Sequence, residues 1–150
     1  MNKVQKLTFS VTLNEDFVKY ESARVGDSKS AAAFARKIWD SDIHYTESCY
    51  LVTFDRAGKP NGFVQLSSGG TAGCIVDLKV VFNRAILMNA HSIILFHNHP
   101  SGSMKPSDAD FNITKKIHSA GKIMDIPLND HIILSPFNDE YYSFADNGEL

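Results

Sequence analysis

A three-layer α/β fold, a mixed sheet with helices on both faces, is what the order of segments along this chain predicts. From residue 28 onward, stretches with strand character alternate with stretches of helical spacing, the pattern of a sheet covered by helices. The clearest strand, Ser92-Ile93-Ile94-Leu95-Phe96, is short, apolar and rich in β-branched residues, which suits a buried strand better than a helix. With 150 residues, 43% of them hydrophobic, the chain can build one well-buried core but not comfortably two. A single domain follows.

The amino-terminal stretch stands apart. Leu7, Phe9, Val11 and Leu13 alternate with polar residues as in a half-exposed strand, and residues 14–27 read as an irregular charged arm. Residues 1–27 are therefore separated from a domain proper at 28–150. An apolar edge strand at 7–13 could pair with another chain, and the oligomeric state stays open. Asp27 or Ser28 can cap a helix running through Ala31, Ala32, Ala33 and Phe34 to Trp39. Two strands follow, about Glu47 to Phe54 and Gly62 to Leu66, and the turn-rich Ala57-Gly58-Lys59-Pro60-Asn61 joins them as a hairpin.

Ser67 to Gly73 is a glycine-rich loop that matches neither a Walker pattern nor a dinucleotide fingerprint, so a wall of a substrate groove is expected rather than a phosphate cradle. Asp77 to Asn89 carries Val80, Val81, Leu87 and Met88 at helical spacing. After the strand at 92–96, a helix from Ser107 to Ala120 is expected to stop at Gly121. A strand through His131 to Leu134 comes next, and Tyr141 to Phe144 closes the series, with Phe137 and Phe144 assigned to the core.

Charge and cysteine usage narrow the function. The 15 Lys plus Arg against 17 Asp plus Glu give a formal net charge of -2, which provides no global field for nucleic acid. Cys49 and Cys74 occur in no Cys-x-x-Cys spacing and accompany no signal peptide, so buried free thiols are expected. No apolar run approaches the ~20 residues of a membrane span. A soluble, cytoplasmic protein without a membrane partner is the expectation.

The chemistry concentrates between His97 and Asp110. His97 and His99 stand two apart at a strand's end, and side chains two apart on an extended chain point the same way. Pro100, Ser101 and Gly102 break the strand, and Pro106 precedes the polar helix start Ser107-Asp108-Ala109-Asp110. A loop ending in a helix's first turn can bring Asp110 beside the two imidazoles. Structural zinc sites usually close all four positions with protein atoms, whereas catalytic ones keep three and leave the fourth to a water whose pKa falls to about 7. Three donors point to catalysis. Glu47 lies at the entry to a strand that could pair beside the one ending at His97, which makes it the candidate proton acceptor. Ser107 is placed to donate its hydroxyl to the oxygen of an attacked carbonyl.

Plainer roles compete for the same residues. Ser107 with Asp110 three later is also a capping pattern, and Glu47 at a strand start is by default a solvated carboxylate. His131, ahead of an apolar strand, is expected to pack or to make a backbone contact. His44, His91 and His118 read as surface residues, and Lys115, Lys116 and Lys122 as complements to the negative helix end.

Taken together, His97, His99, Pro100, Ser107 and Asp110 resemble the JAMM or MPN+ metallopeptidase signature. The Pro-Ser-Gly after His99, Pro106, Ser67-Ser68-Gly69-Gly70, Asp130-His131-Ile132-Ile133 and Tyr142-Ser143-Phe144-Ala145 are similar to the RadC branch, over roughly Ser28 to Leu150. The resemblance implies a JAB/MPN domain, related to cytidine deaminase-like three-layer folds. It also implies Zn2+ held by His97, His99 and Asp110, with Glu47 as general acid/base and Ser107 as stabiliser of the tetrahedral intermediate. Every position with a chemical role is filled, unlike in the metal-free branch of the superfamily. Many RadC proteins carry a helix-hairpin-helix region upstream, which this chain is too short to contain.

The expected function is a zinc-dependent amide hydrolase, a JAMM-type peptidase or isopeptidase acting on a peptide or isopeptide substrate. A nucleic-acid-associated factor of DNA repair or mobile elements is the second reading, suggested by the family's customary naming and unsupported by the charge. The His-x-Glu with Pro-Cys-x-x-Cys signature of zinc deaminases is absent. Non-haem iron oxygenases also use two histidines and a carboxylate, but Ser107 and the resemblance favour hydrolysis.

Overall fold

The computed structural model describes residues 23–40, 42–69 and 76–150. The strand expected at 7–13, residues 14–22 of the arm, residues 70–73 of the glycine-rich loop and Cys74 lie outside the described residues. The first helix, α1 (Ser28–Ile38), is begun by Asp27, whose carboxylate accepts from Ser30 N at 2.7 Å while Ser30 Oγ accepts from Asp27 N at 3.1 Å. This reciprocal cap satisfies two backbone donors that the helix cannot serve itself.

Five strands form one sheet: β1 (Ser48–Phe54), β2 (Pro60–Ser68), β3 (Ser92–Asn98), β4 (Leu128–Leu134) and β5 (Tyr141–Ser143). Their order is β2-β1-β3-β4-β5, antiparallel except for the parallel β3–β4 pair. A parallel pair needs a crossover, and α3 (Asp108–Met124) provides it between β3 and β4. The remaining helix, α2 (Leu78–Leu87), joins β2 to β3 and is capped by Asp77.

The two faces of the sheet explain why β1 and β3 read as unbroken apolar runs: both sides are covered. Tyr50, Val52, Ile94, Phe96, Ile132 and Leu134 pack with α1 on one face. On the other, Cys49, Leu51, Ile93 and Leu95 pack with Val81 and Ala85 of α2 and Ile117 of α3. Cys49 is buried, as expected. From α1, Arg36 reaches across to the carbonyls of Ser135 and Glu140, each at 2.9 Å, and pins the turn between β4 and β5.

Two boundaries differ from expectation for physical reasons. The helix expected to stop at Gly121 runs on to Met124 and ends at Asp125, which takes the left-handed conformation (φ 54) and bonds its N–H to Gly121 O. Gly121 is there for proximity instead: a Cβ at that position would lie 2.6 Å from Ile126 O, so only glycine lets the returning chain pass. The second hairpin strand is also longer than Gly62–Leu66, because Ser67 and Ser68 stay in register with Cys49 and Ser48 instead of joining the glycine-rich loop. Among the described residues, no helix is long and apolar enough to cross a membrane.

Candidate metal centre

The end of β3 carries three consecutive polar residues with two different jobs. Alternation along the strand sends His97 and His99 to the α3 side and Asn98 to the α1 side. Asn98 is fully buried and spends its amide on the segment leading into β1: it accepts from Ser48 N at 2.8 Å and donates to the carbonyls of Ile43 at 2.7 Å and Thr46 at 2.9 Å. The chain bearing Glu47 is thereby tied to the strand bearing the two histidines.

After His99 the chain turns through Gly102, at φ 77, whose N–H closes back onto His99 O at 2.8 Å. It then enters α3 at Ser107. Ser107 and Asp110 form a reciprocal cap: Asp110 N donates to Ser107 Oγ at 3.2 Å, and Asp110 Oδ2 accepts from Ser107 N and from its hydroxyl, each at 2.7 Å. The capping pattern read from sequence is thus present, and it also orients the Asp110 carboxylate.

The structure brings the three expected ligands together. His97 Nε2 lies 2.9 Å from His99 Nε2, 3.2 Å separate His97 Nε2 from Asp110 Oδ1, and 3.5 Å separate His99 Nε2 from Asp110 Oδ2. Among the described residues these three could hold a metal ion, with donor atoms all within 4.8 Å of one another. The hydrogen bonds behind them test the fit. His99 Nδ1 is 2.7 Å from the carbonyl of Ser103, which can only accept, so Nδ1 carries a proton and Nε2 is the nitrogen turned toward the cluster. Two ring nitrogens and a carboxylate so close together need a proton or a metal cation among them, and the same lone pairs serve either. Imidazole and carboxylate are donors that suit zinc, and a backbone carbonyl behind the ring, as at His99, is a usual support for such a ligand.

The electrostatics agree. Burial opposes a charge on His99, yet hydrogen bonds with Asp110 and Ser103, and the charges of Asp110 and Glu47, raise its pKa above the usual histidine value. Burial likewise opposes ionisation of Asp110, but the hydrogen bonds of His97 and His99 outweigh it and hold the carboxyl well below the ordinary range. The cluster is built for an anionic carboxylate facing positive charge.

Glu47, the residue just before β1, borders the same place. A small cavity of about 20 Å³, room for roughly one water, has Glu47, His97 and Asp110 on its polar side and Cys49, Leu95 and Ile113 on its apolar side. Ser107 is exposed, with its hydroxyl turned onto Asp110.

Two participants went unread in the sequence, Asn98 and Thr114, and a third, His131, was read only for packing or a backbone contact. His131, expected to pack or touch backbone, stacks on Phe144 with ring centroids 4.8 Å apart but also places Nε2 2.8 Å from His97 Nδ1. Its Nδ1 lies 2.5 Å from Thr114 Oγ1. Burial above all keeps His131 far below the usual histidine pKa, and therefore neutral. The only local hint was a histidine next to an apolar strand; its partners lie 17 and 34 residues away.

Two side-chain expectations are overturned. Phe137, assigned to the core, is 67% exposed and lies over Gly102, where a Cβ would come within 2.8 Å of its ring. His118, read as a surface residue, is half-buried, with a buried Nδ1 that finds no partner among the described residues. Of the three lysines thought to complement the helix end, only Lys122 falls in the last turn.

Residues 24–149 match a family model described as the RadC-like JAB domain. A UPF0758 protein of Flavobacterium johnsoniae is 40% identical over 134 residues, covering 89% of this chain and 56% of the relative. One from Chlorobium chlorochromatii is 42% identical over 135 residues, 90% of this chain and 53% of the relative. Another, from Porphyromonas gingivalis, is 35% identical over 104 residues, 69% of this chain and 45% of the relative. The chain thus spans about half the length of these relatives.

Proposed function

The chain belongs to the RadC-like JAB domain family, and from that membership and the geometry of its metal centre we propose that it is a zinc-dependent hydrolase of amide bonds, acting on a peptide or isopeptide. The observation that carries the reading is the convergence of His97 Nε2, His99 Nε2 and the Asp110 carboxylate on one point, beside a cavity that Glu47 also lines. Three protein donors leave room for water or substrate, as catalytic zinc requires. When bound, zinc would make a water acidic enough to attack near neutral pH and would polarise the substrate carbonyl.

The chain's own residues supply the rest. Glu47 takes the proton of the attacking water and returns it to the departing amine. Ser107, at the rim, donates its hydroxyl to the carbonyl oxygen as negative charge develops there, giving up its bond to Asp110 Oδ2. The apolar wall of Cys49, Leu95 and Ile113 keeps bulk water from Glu47 and the reacting carbonyl.

Metal analysis of protein purified without added metal, paired with a peptide-library cleavage screen, tests the proposal. Zinc near one equivalent and metal-dependent cleavage are expected. Glu47→Ala should keep its zinc and lose on the order of 10²–10⁴-fold in rate. Ser107→Ala should lose on the order of 10²–10³-fold, together with ~0.5–2 kcal/mol of stability through the cap. Unchanged turnover in zinc-loaded Glu47→Ala, or iron with oxygen-dependent turnover, would overturn the assignment.

A further inference from the structure

We infer that Thr114 and His131 form a buried relay that sets the tautomer of His97 and so keeps its Nε2 lone pair on the metal position. Both are positioning residues, and the inference rests on the metal-centre reading above. Ownership of each proton follows from the far end of the chain of contacts. The backbone carbonyl of Asp110 can only accept, so the Thr114 hydroxyl, 2.6 Å away, gives it its single proton. Thr114 Oγ1 then offers nothing but lone pairs to His131 Nδ1 at 2.5 Å, and Nδ1 must be the protonated nitrogen.

His131 is 1% exposed, and a ring so deeply buried stays neutral, which leaves its Nε2 bare. That nitrogen, 2.8 Å from His97 Nδ1, needs a donor, so His97 is protonated on Nδ1. The nitrogen left free on His97 is Nε2, the one that faces His99 and Asp110. The relay thereby begins at the backbone of one candidate ligand and ends at the ring of another. Near-parallel stacking on Phe144, at an interplanar angle of 7°, restrains the His131 ring from turning away.

A buried threonine and histidine could instead be simple core partners, which would affect stability but not ring protonation or metal affinity. Two measurements on the full chain separate the roles. Imidazole ¹⁵N shifts of metal-free protein at mildly alkaline pH should show Nδ1 protonated on both His131 and His97. Zinc affinity, from competition with a chromogenic chelator, should fall about 10–100-fold in Thr114→Val and in His131→Phe. Thr114→Ser, which restores the hydroxyl, should return affinity to within a few-fold of wild type.

Protonation of His97 on Nε2 in the wild type would overturn the relay without any variant, even if Thr114→Val fails to fold. Zinc binding by wild type with undiminished affinity in Thr114→Val would overturn the relay and leave the metal centre standing. Failure of the wild type to bind zinc would overturn both.

Discussion

Asp110 and Asp130 are both largely buried carboxylates with several hydrogen bonds, and their surroundings drive them in opposite directions. Asp110 sits in the first turn of α3, where the helix dipole favours an anion, and faces two imidazoles whose bonds overcome the cost of burial. Asp130 is 5% exposed and receives the Ser143 hydroxyl at 2.6 Å, His131 N at 2.7 Å and Ala145 N at 3.0 Å. All three donors are neutral, so burial prevails and its pKa rises. Hydrogen-bond number therefore does not distinguish a candidate metal-binding carboxylate from one buried among neutral donors. The distinction lies in facing groups that are themselves poised to share a cation.

The contrast can be broken at either residue. The largest effect is expected from Asp110→Asn, which removes a candidate ligand: chelator competition should show zinc affinity falling beyond the ~10–100-fold that loss of an outer partner brings. Affinity within a few-fold of wild type would erase the difference between the two aspartates. Asp130→Ala should leave zinc affinity of the folded protein nearly unchanged but cost about 1–3 kcal/mol in denaturant unfolding, because it strands three buried donors. Asp130→Asn keeps an acceptor for the two backbone N–H groups and removes the buried charge, so its loss should stay under about 1 kcal/mol.

The subtlest test is the pH dependence of stability in metal-free protein. Asp110, lowered on folding, contributes stability that is present above the unfolded carboxyl pKa of about 3.9 and is lost as pH falls below it. Asp130, raised on folding, contributes in the opposite sense: its term is fully present below about 3.9 and is lost as pH rises through its folded value. The deficit of Asp110→Asn should accordingly shrink on acidification, while that of Asp130→Asn shrinks as pH rises from about 4. Parallel profiles would show that the two environments are electrostatically alike.

What could be read from the sequence was whatever local chemistry encodes. The strand ending at His97, the break at Pro100 to Gly102 and the cap at Ser107 all sit within a few residues of one another, and they suffice to place Asp110 near two histidines. Glu47 became a candidate proton acceptor chiefly through the family pattern, since nothing beside it in the sequence marks that role. Asn98, Thr114 and His131 were hidden because their partners are brought close only by the sheet: β4 lies parallel to β3 with His131 opposite Leu95, two residues before His97 and on the same face. Gly121 and Phe137 misled for a related reason. A glycine near a helix's end and an aromatic near a closing strand carry strong default readings, and only the packing of Ile126 and Gly102 against them reveals other uses.

The placement of all three candidate ligands in one strand, loop and helix start has a consequence for assembly of the fold. Joining His97, His99 and Asp110 closes only a short loop, and closure entropy grows slowly with length from a small base. The supports at residues 47 and 131 require the whole sheet. A partly unfolded chain should therefore retain weak affinity for divalent ions, and an ion captured early would seed the β3–α3 corner around which the remaining strands pair.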